Sequence, residues 1–247
     1  MKGNYAIAVC DILGFSSLVQ GKPLDSVVQE HLEWLRKALY YSIYKEFPAK
    51  APSLRALQDQ GELGLAWFSD TVLIYTLEDT DDNLRALTIC LGCLLFATVF
   101  KVGTRLRCGV SYGEAFMDAE NSIYVGKPLI EAYCLQQAQA WSGGALTRKA
   151  VERLPAPART GQYRWDWFLV PYEVPKKGNR TVRTLAIDWT IGVHDGPDFL
   201  RWSKTDAVPP EDEWEKRPDV CEKWQNTKRF HDSVCKRCNQ LAPRLSN

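Results

Sequence analysis

The feature that most limits how this chain can fold is the order of its apolar runs between Tyr5 and Thr147. Tyr5 to Val9 is a short β-type run, broken at Asp11-Ile12-Leu13-Gly14-Phe15-Ser16-Ser17 by glycine and serines, so a strand passes into a loop there. From Leu24 to Phe47 apolar residues recur at helical spacing (Val27, Val28, Leu32, Leu35, Leu39, Ile43) until Pro48 stops them, which predicts one long amphipathic helix. Leu63 to Phe68 and Thr71 to Thr76 are β-type runs joined by Ser69-Asp70, a tight hairpin with Asp70 at its tip. A helix over Asp82 to Phe100 follows, then a strand over Arg105 to Tyr112 whose alternation turns Arg107 away from the packed side. Ile123 to Val125 reads as a short strand, Lys127 to Trp141 as a helix, and Ala145 to Thr147 as a strand after the Gly143-Gly144 break.

The order βα-ββ-αβ predicts an α+β fold of the ferredoxin-like kind: a mixed sheet with helices on one face and the other face open. Beyond Ala150 a Trp/Tyr-rich stretch leads to a closing strand over Val182 to Trp189. Past about His194 the chain turns to Pro, Trp and mixed charge, with a last helix over Pro218 to Cys238. Residues 1–193 are therefore expected to form the main domain and 194–247 a C-terminal appendage packed on it.

Lys and Arg total 31 against 30 Asp and Glu, which leaves no excess of cation for a phosphate backbone and argues against duplex nucleic acid as a main partner. The longest uncharged apolar run, Ala86 to Phe100, would reach about 22 Å as a helix against roughly 30 Å of hydrocarbon core, so a buried core helix rather than a membrane span is expected. Tyr5 to Phe15 is interrupted by Asp11 and carries no small-residue cleavage pattern, so a cytoplasmic chain is expected. Cys10, Cys90, Cys93, Cys108 and Cys134 lie in apolar segments, as reduced, buried thiols do.

Asp11 ends the first strand and Asp70 tips the hairpin, and in a ferredoxin-like sheet that strand can lie beside that hairpin, bringing the carboxylates together. Hard cations such as Mg²⁺ take oxygen ligands, and one or two carboxylates suffice where a substrate phosphate supplies more. The backbone amides of Gly14, Phe15 and Ser16 follow directly and suit phosphate oxygens. Each residue also has an ordinary reading: Asp11 as a cap, Asp70 as a turn former, Gly14 as a turn glycine.

Taken together these segments resemble a known family. Ala8-Val9-Cys10-Asp11-Ile12-Leu13-Gly14-Phe15-Ser16 is similar to the opening motif of class III nucleotidyl cyclase domains, and Phe68-Ser69-Asp70-Thr71 resembles their second metal hairpin, with Ser69 where glycine is usual. Arg107-Cys108-Gly109-Val110-Ser111-Tyr112-Gly113-Glu114 and Tyr124-Val125-Gly126 with Ala132 resemble two further family motifs, in the right order from Ala6 to Thr147. The resemblance implies closure of a nucleoside triphosphate to a 3′,5′-cyclic monophosphate with release of pyrophosphate. It further implies that Asp11, the backbone carbonyl of Ile12, and Asp70 hold two Mg²⁺ or Mn²⁺ ions, and that sites form between two head-to-tail subunits of a homodimer.

Departures from the pattern narrow the substrate. Ala66 stands where purine cyclases carry a base-reading lysine, and Ile123 stands where they carry the second base reader. An apolar wall discriminates mainly by size, which admits a smaller pyrimidine, UTP or CTP. The transition-state Asn and Arg of the family fall at Ile130 and Cys134. Arg107 is the candidate replacement, against a reading as a solvated strand residue, and Lys177 is a second candidate for the terminal phosphates. The set of changes resembles the pyrimidine cyclases of bacterial Pycsar antiphage defence, whose cyclic UMP or cyclic CMP switches on a separate effector, with uridylate cyclases the nearer comparison. A catalytically inactive nucleotide- or partner-binding module, and an adenylate cyclase with unusual base contacts, are the alternatives. Cys221, His231, Cys235 and Cys238 have the ligand types of a zinc site, but His231 and Cys235 also fit one face of an ordinary helix.

Overall fold

In the computed structural model, which describes residues 1–44, 50, 53, 63–99, 104–159, 167–190 and 218–241, the chain builds one eight-stranded mixed sheet. Strands β1 (Lys2–Ile12), β2 (Leu63–Phe68), β3 (Thr71–Thr76), β4 (Leu106–Asp118), β6 (Gly143–Leu146), β7 (Leu169–Lys176) and β8 (Arg180–Ile187) run in the order β2-β3-β1-β4-β6-β8-β7, and β5 (Ile123–Gly126) pairs with the far end of β4. The helices are α1 (Phe15–Gly21), α2 (Leu24–Val27), α3 (Glu33–Tyr44), α4 (Asp81–Val99), α5 (Lys127–Ala138), α6 (Arg148–Arg153), α7 (Ala156–Arg159) and α8 (Pro218–Leu241).

Alternation along the strands sorts side chains to two faces. Ala6, Ala8, Cys10 and Ile12 of β1, Val72 and Ile74 of β3, and Leu106, Cys108 and Val110 of β4 point into the main core with α3 and α4. Helix α4 is a described helix apolar enough to cross a membrane, but 72% of its apolar window is buried in this core. Tyr5, Ile7, Val9, Leu73, Tyr75, Ala115 and Met117 point to the second face and pack with Ala132 of α5. That face is covered by α5 over β1 and β4 and is open over β2 and β3.

Several sequence expectations change in detail. Gly14-Phe15-Ser16-Ser17 is not a loop: Gly14, at φ +76°, turns the chain directly into α1. The long helix is interrupted by a π turn over Val28–Leu32, which carries the buried His31 to a 2.8 Å contact with Thr104 Oγ1; its expected end at Phe47 and Pro48 lies outside the described residues. Gly143-Gly144 is not a break but the start of β6, because a Cβ on Gly144 would stand 2.8 Å from Ile187 Cγ1 and no side chain fits there. Strand β7, not anticipated, carries Pro171 and Pro175, and tolerates them as the sheet's edge. The expected boundary near residue 193 lies outside the described residues, as do the side chains of Cys235 and Cys238. Cys221 and His231, ten residues apart on the single helix α8, stand about 15 Å apart along its axis, so the four proposed ligands cannot share one zinc ion.

Helix α5 approaches β4 closely for one reason. A Cβ on Gly109 would lie 2.1 Å from the Ala132 carbonyl oxygen and 2.8 Å from the Gln136 amide nitrogen. Gly109→Ala is therefore expected to lift the helix and to destabilise the protein by about 1–3 kcal/mol, the usual cost of overpacking. A urea midpoint unchanged from that of the parent protein would refute this.

Candidate active site

Asp11 sits one residue from the end of β1, opposite Arg107 of β4 on one side and Thr71 of β3 on the other. Strand parity places it on the second face with Val9, beneath the end of α5. The Ile12 amide donates to the Asp70 carbonyl at 3.3 Å, tying the strand end to the hairpin tip, while the Ile12 side chain is buried in the main core and leaves only its backbone for the site. The hairpin turn is as tight as the sequence demands, with Phe68 opposite Thr71 and Ser69 at φ +56°, a conformation glycine would adopt more cheaply.

Asp11 and Asp70 interact directly. Burial first, then a side-chain hydrogen bond with Asp11 and the charge of Asp11, pushes the Asp70 carboxyl up to about 6, against opposing hydrogen bonds from its own amide and from Ser69. Two carboxyl groups crowded in this way offer a divalent cation an oxygen-only donor pair. Among the described residues no group of three His, Cys, Asp or Glu side chains gathers to hold a metal, so water, a backbone carbonyl or substrate oxygens must complete any shell on this pair.

One oxygen of Asp11 is already committed. Arg107 Nη2 and Gln136 Nε2 each donate to Asp11 Oδ2 at 3.0 Å, which fixes the carboxylate's rotation and turns Oδ1 elsewhere. Arg107 does face away from the main core, but it is buried there rather than solvated: Nη1 donates to the carbonyls of Gln137 and Gln139 at 3.5 and 3.4 Å. Arg107 Nε and Gln136 Oε1 are buried without a hydrogen-bond partner. Arg107 thus holds Asp11 and is not poised over open space.

The neighbouring cavity, about 850 Å³, opens on the uncovered part of the second face. Val9, Ala66, Trp67, Phe68, Tyr124, Ile130 and Tyr133 line it. Trp67 is pinned by a 2.6 Å bond from its Nε1 to the Ser69 carbonyl. Ile123 is exposed at the start of β5 and does not line the cavity, so of the two base-reader positions only Ala66 does. Ile130, in the cavity wall, and Cys134 are both exposed on α5, at the positions of the family's Asn and Arg. Gly14, Phe15 and Ser16 lie at the start of α1, immediately after Ile12, and Phe15 packs on the main core. Lys177 caps the β7–β8 hairpin, its amide bound to the Ala138 carbonyl at 2.9 Å.

Sequence reasoning missed Gln136. Its signal is the helical stripe Pro128, Ala132, Gln136, all buried: a glutamine at the third apolar-stripe position is a buried polar group that needs a partner, and Asp11 is that partner. Gln139, which ties Cys108 and Trp141 together beneath Arg107, was missed for want of any local signal.

This geometry sits on an architecture seen before. The monomeric guanylyl cyclase domain of the RhoGC fusion protein from the aquatic fungus Blastocladiella emersonii superposes with a TM-score of 0.51 at 10% identity, over 76% of this chain and 96% of that one. A monomeric adenylate cyclase from Trypanosoma brucei superposes with a TM-score of 0.50 at 13% identity, over 76% of this chain and 90% of that one. The chain has the class III nucleotidyl cyclase fold. No protein-family model and no curated protein matches the sequence, so the likeness to class III cyclases is one of fold. In the class III fold of this chain, β1 and the β2–β3 hairpin carry Asp11 and Asp70, and α5 closes over them from the second face.

Proposed function

We propose that the protein is a pyrimidine nucleotide cyclase, converting UTP, or less favourably CTP, to the 3′,5′-cyclic monophosphate and pyrophosphate. The observation that carries this reading is the Asp11–Asp70 pair, two acidic residues remote in sequence brought together where β1 meets the β2–β3 hairpin, next to an apolar cavity whose wall includes Val9, Phe68 and Thr71. Two Mg²⁺ or Mn²⁺ ions bound there would acidify the ribose 3′ hydroxyl and offset charge on the phosphates. Asp11 presents Oδ1 while Arg107 and Gln136 hold Oδ2, and the backbone of Ile12 lies between the two carboxylates. The Arg107 cation, held on Asp11, adds positive potential beside that carboxylate.

Ala66, in the cavity wall, offers no hydrogen bond to a base, and the rings of Trp67, Tyr124 and Tyr133 provide stacking surface for a pyrimidine. A second copy of the chain is the partner: Phe68, Ile130 and Tyr133 are 83%, 62% and 52% exposed around the cavity, and an apolar rim of that kind calls for a covering surface. The resemblance to Pycsar cyclases supports a role for the cyclic product as a second messenger in antiphage defence, acting on a separate effector.

Incubation of the purified protein with all four triphosphates and Mn²⁺, with mass identification of products, tests this. Cyclic UMP in excess over other cyclic nucleotides is expected; a folded dimer that releases no pyrophosphate from UTP or CTP would sink the proposal. The alternative of an inactive nucleotide-binding module is favoured by Ile130 and Cys134, an apolar side chain and a thiol, standing where the family carries its transition-state groups. It would show as UTP binding without turnover, whereas ATP outcompeting both pyrimidines would indicate an adenylate cyclase.

A further inference from the structure

Arg107, which clamps Asp11 Oδ2, is itself gripped by one short piece of chain. Residues 137–142 end α5 and lead into β6. Arg107 Nη1 donates to the carbonyls of Gln137 and Gln139 at 3.5 and 3.4 Å. The peptide groups on either side of Arg107 are held by side chains of the same strip: Gln139 Nε2 donates to the Cys108 carbonyl at 2.8 Å, and Ser142 Oγ to the Leu106 carbonyl at 3.0 Å. Trp141 Nε1 donates to Gln139 Oε1 at 2.6 Å, which fixes that amide in one orientation. Backbone and guanidinium of Arg107 therefore both take their place from the strip.

The strip does not hold itself. Residues 140–142 belong to neither helix nor sheet and are buried, so their peptide groups need partners from elsewhere. The β7–β8 hairpin supplies some: the Ala140 amide donates to Pro175 O at 3.0 Å and the Lys177 amide to Ala138 O at 2.9 Å. Helix α8 supplies more, with Asn226 Nδ2 donating to Ala140 O at 2.9 Å and Thr227 Oγ1 accepting from the Ser142 amide at 2.8 Å. Asn226 Oδ1 accepts in turn from Arg229 Nη1 at 3.1 Å, and both Asn226 and Thr227 are buried. Phe230, one turn further along α8, meets Trp141 edge-on with ring centroids 4.8 Å apart, so this face of the helix is seated on the strip.

We infer that Asn226 is a positioning residue for the Asp11 site: it seats the strip, the strip seats Arg107, and Arg107 with Gln136 turns Asp11 so that Oδ1 is the oxygen presented. This rests on the nucleotide-site reading above for what Asp11 does, and it extends that site to the C-terminal helix. Deprived of the Asn226 donor, the buried Ala140 carbonyl is left unpaired, and the strip must shift to find another partner. The carbonyls under Arg107 shift with it. The result is a loosened Asp11 in a chain that still folds, and loss of an outer partner of a metal ligand typically costs about 10–100-fold in metal affinity or activity.

The test uses full chains and Mn²⁺ alone as probe, read by the electron paramagnetic resonance of the free ion, followed by UTP kinetics. Asn226→Asp keeps the side chain's shape and the acceptor for Arg229 but removes the donor to Ala140, and Asn226→Leu removes it without adding charge. Each is expected to weaken Mn²⁺ binding by about tenfold and to lower kcat for UTP in parallel, with little change in KM. Val234→Ala, which trims the buried core about two turns beyond Thr227, is expected to lower the melting temperature and leave Mn²⁺ affinity unchanged. In an Arg107→Met background Asn226→Asp should weaken Mn²⁺ binding no further, because the link it acts through is gone. If the parent binds Mn²⁺ and both Asn226 variants bind it as tightly, or if Val234→Ala weakens binding as much, or if the effect persists in full without Arg107, the positioning role is overturned and the nucleotide-site reading stands. A parent that neither binds Mn²⁺ nor turns over any triphosphate overturns that reading, and this inference with it.

Discussion

Asp70→Asn is expected to abolish cyclic nucleotide formation and, at the same time, to make the metal-free protein more stable at pH 8. The activity loss should exceed about 100-fold, since removal of even an outer-shell partner of a metal ligand costs 10–100-fold. The stability gain follows from the carboxyl's position. With a folded value of about 6 against an ordinary 3.8, Asp70 holds its proton more tightly in the folded chain than in the unfolded one. Its favourable contribution is thus complete below about pH 4 and is lost as pH rises through 6, leaving a net cost at pH 8, where both carboxylates are charged. Taken whole, the change corresponds to about 3 kcal/mol, and discounting for the partial exposure of Asp70 leaves about 1 kcal/mol. Thermal melts in EDTA should place Asp70→Asn about 2–4 °C above the parent at pH 8, with the gap closing toward pH 4. A variant that melts lower at pH 8 would show that the two carboxylates do not oppose each other.

Arg107→Met is expected to cost more stability than any other single change in the site. Arg107 and Asp11 are both largely buried, and removing one member of a buried ion pair leaves the other charge without compensation, typically at about 3–5 kcal/mol. Arg107 also loses its bonds to Gln137 and Gln139, which loosens the strip that carries the β7–β8 hairpin and α8. The double variant Arg107→Met with Asp11→Leu should recover much of that stability, because the stranded carboxylate is gone, and should remain inactive. Denaturant titration of the two single variants and the double closes the cycle. Strictly additive losses would mean that the 3.0 Å contact contributes nothing.

The same pair shows how much of the site the sequence can display. Asp11 and Asp70 are legible because each belongs to a local pattern, a strand ending in an acid and a two-residue hairpin turn, and because those patterns recur in the right order. Arg107 is legible as a polar residue on the face opposite Leu106 and Cys108, but its role is not. The alternation gives the face, and only the packing of α5 shows that the face is buried and that the guanidinium is spent on Asp11. Gly109 is readable as a strand glycine, yet its reason, a helix backbone 2.1 Å from where a Cβ would stand, exists only in three dimensions.

What the amino-acid order settled unaided was the alternation of elements, the two faces of each strand, and the pairing of β2 with β3, since these depend on periodicities of two and 3.6 residues and on turn chemistry within a few positions. What required the folded chain was everything that depends on contacts between distant segments: Gln136 as a partner of Asp11, the crowding of Asp70 by Asp11, and the convergence of Arg107, the β7–β8 hairpin and α8 on the strip of backbone between α5 and β6. A local pattern can say which way a side chain points. It cannot say what will stand there, because that is fixed by where a helix or hairpin remote in sequence comes to rest.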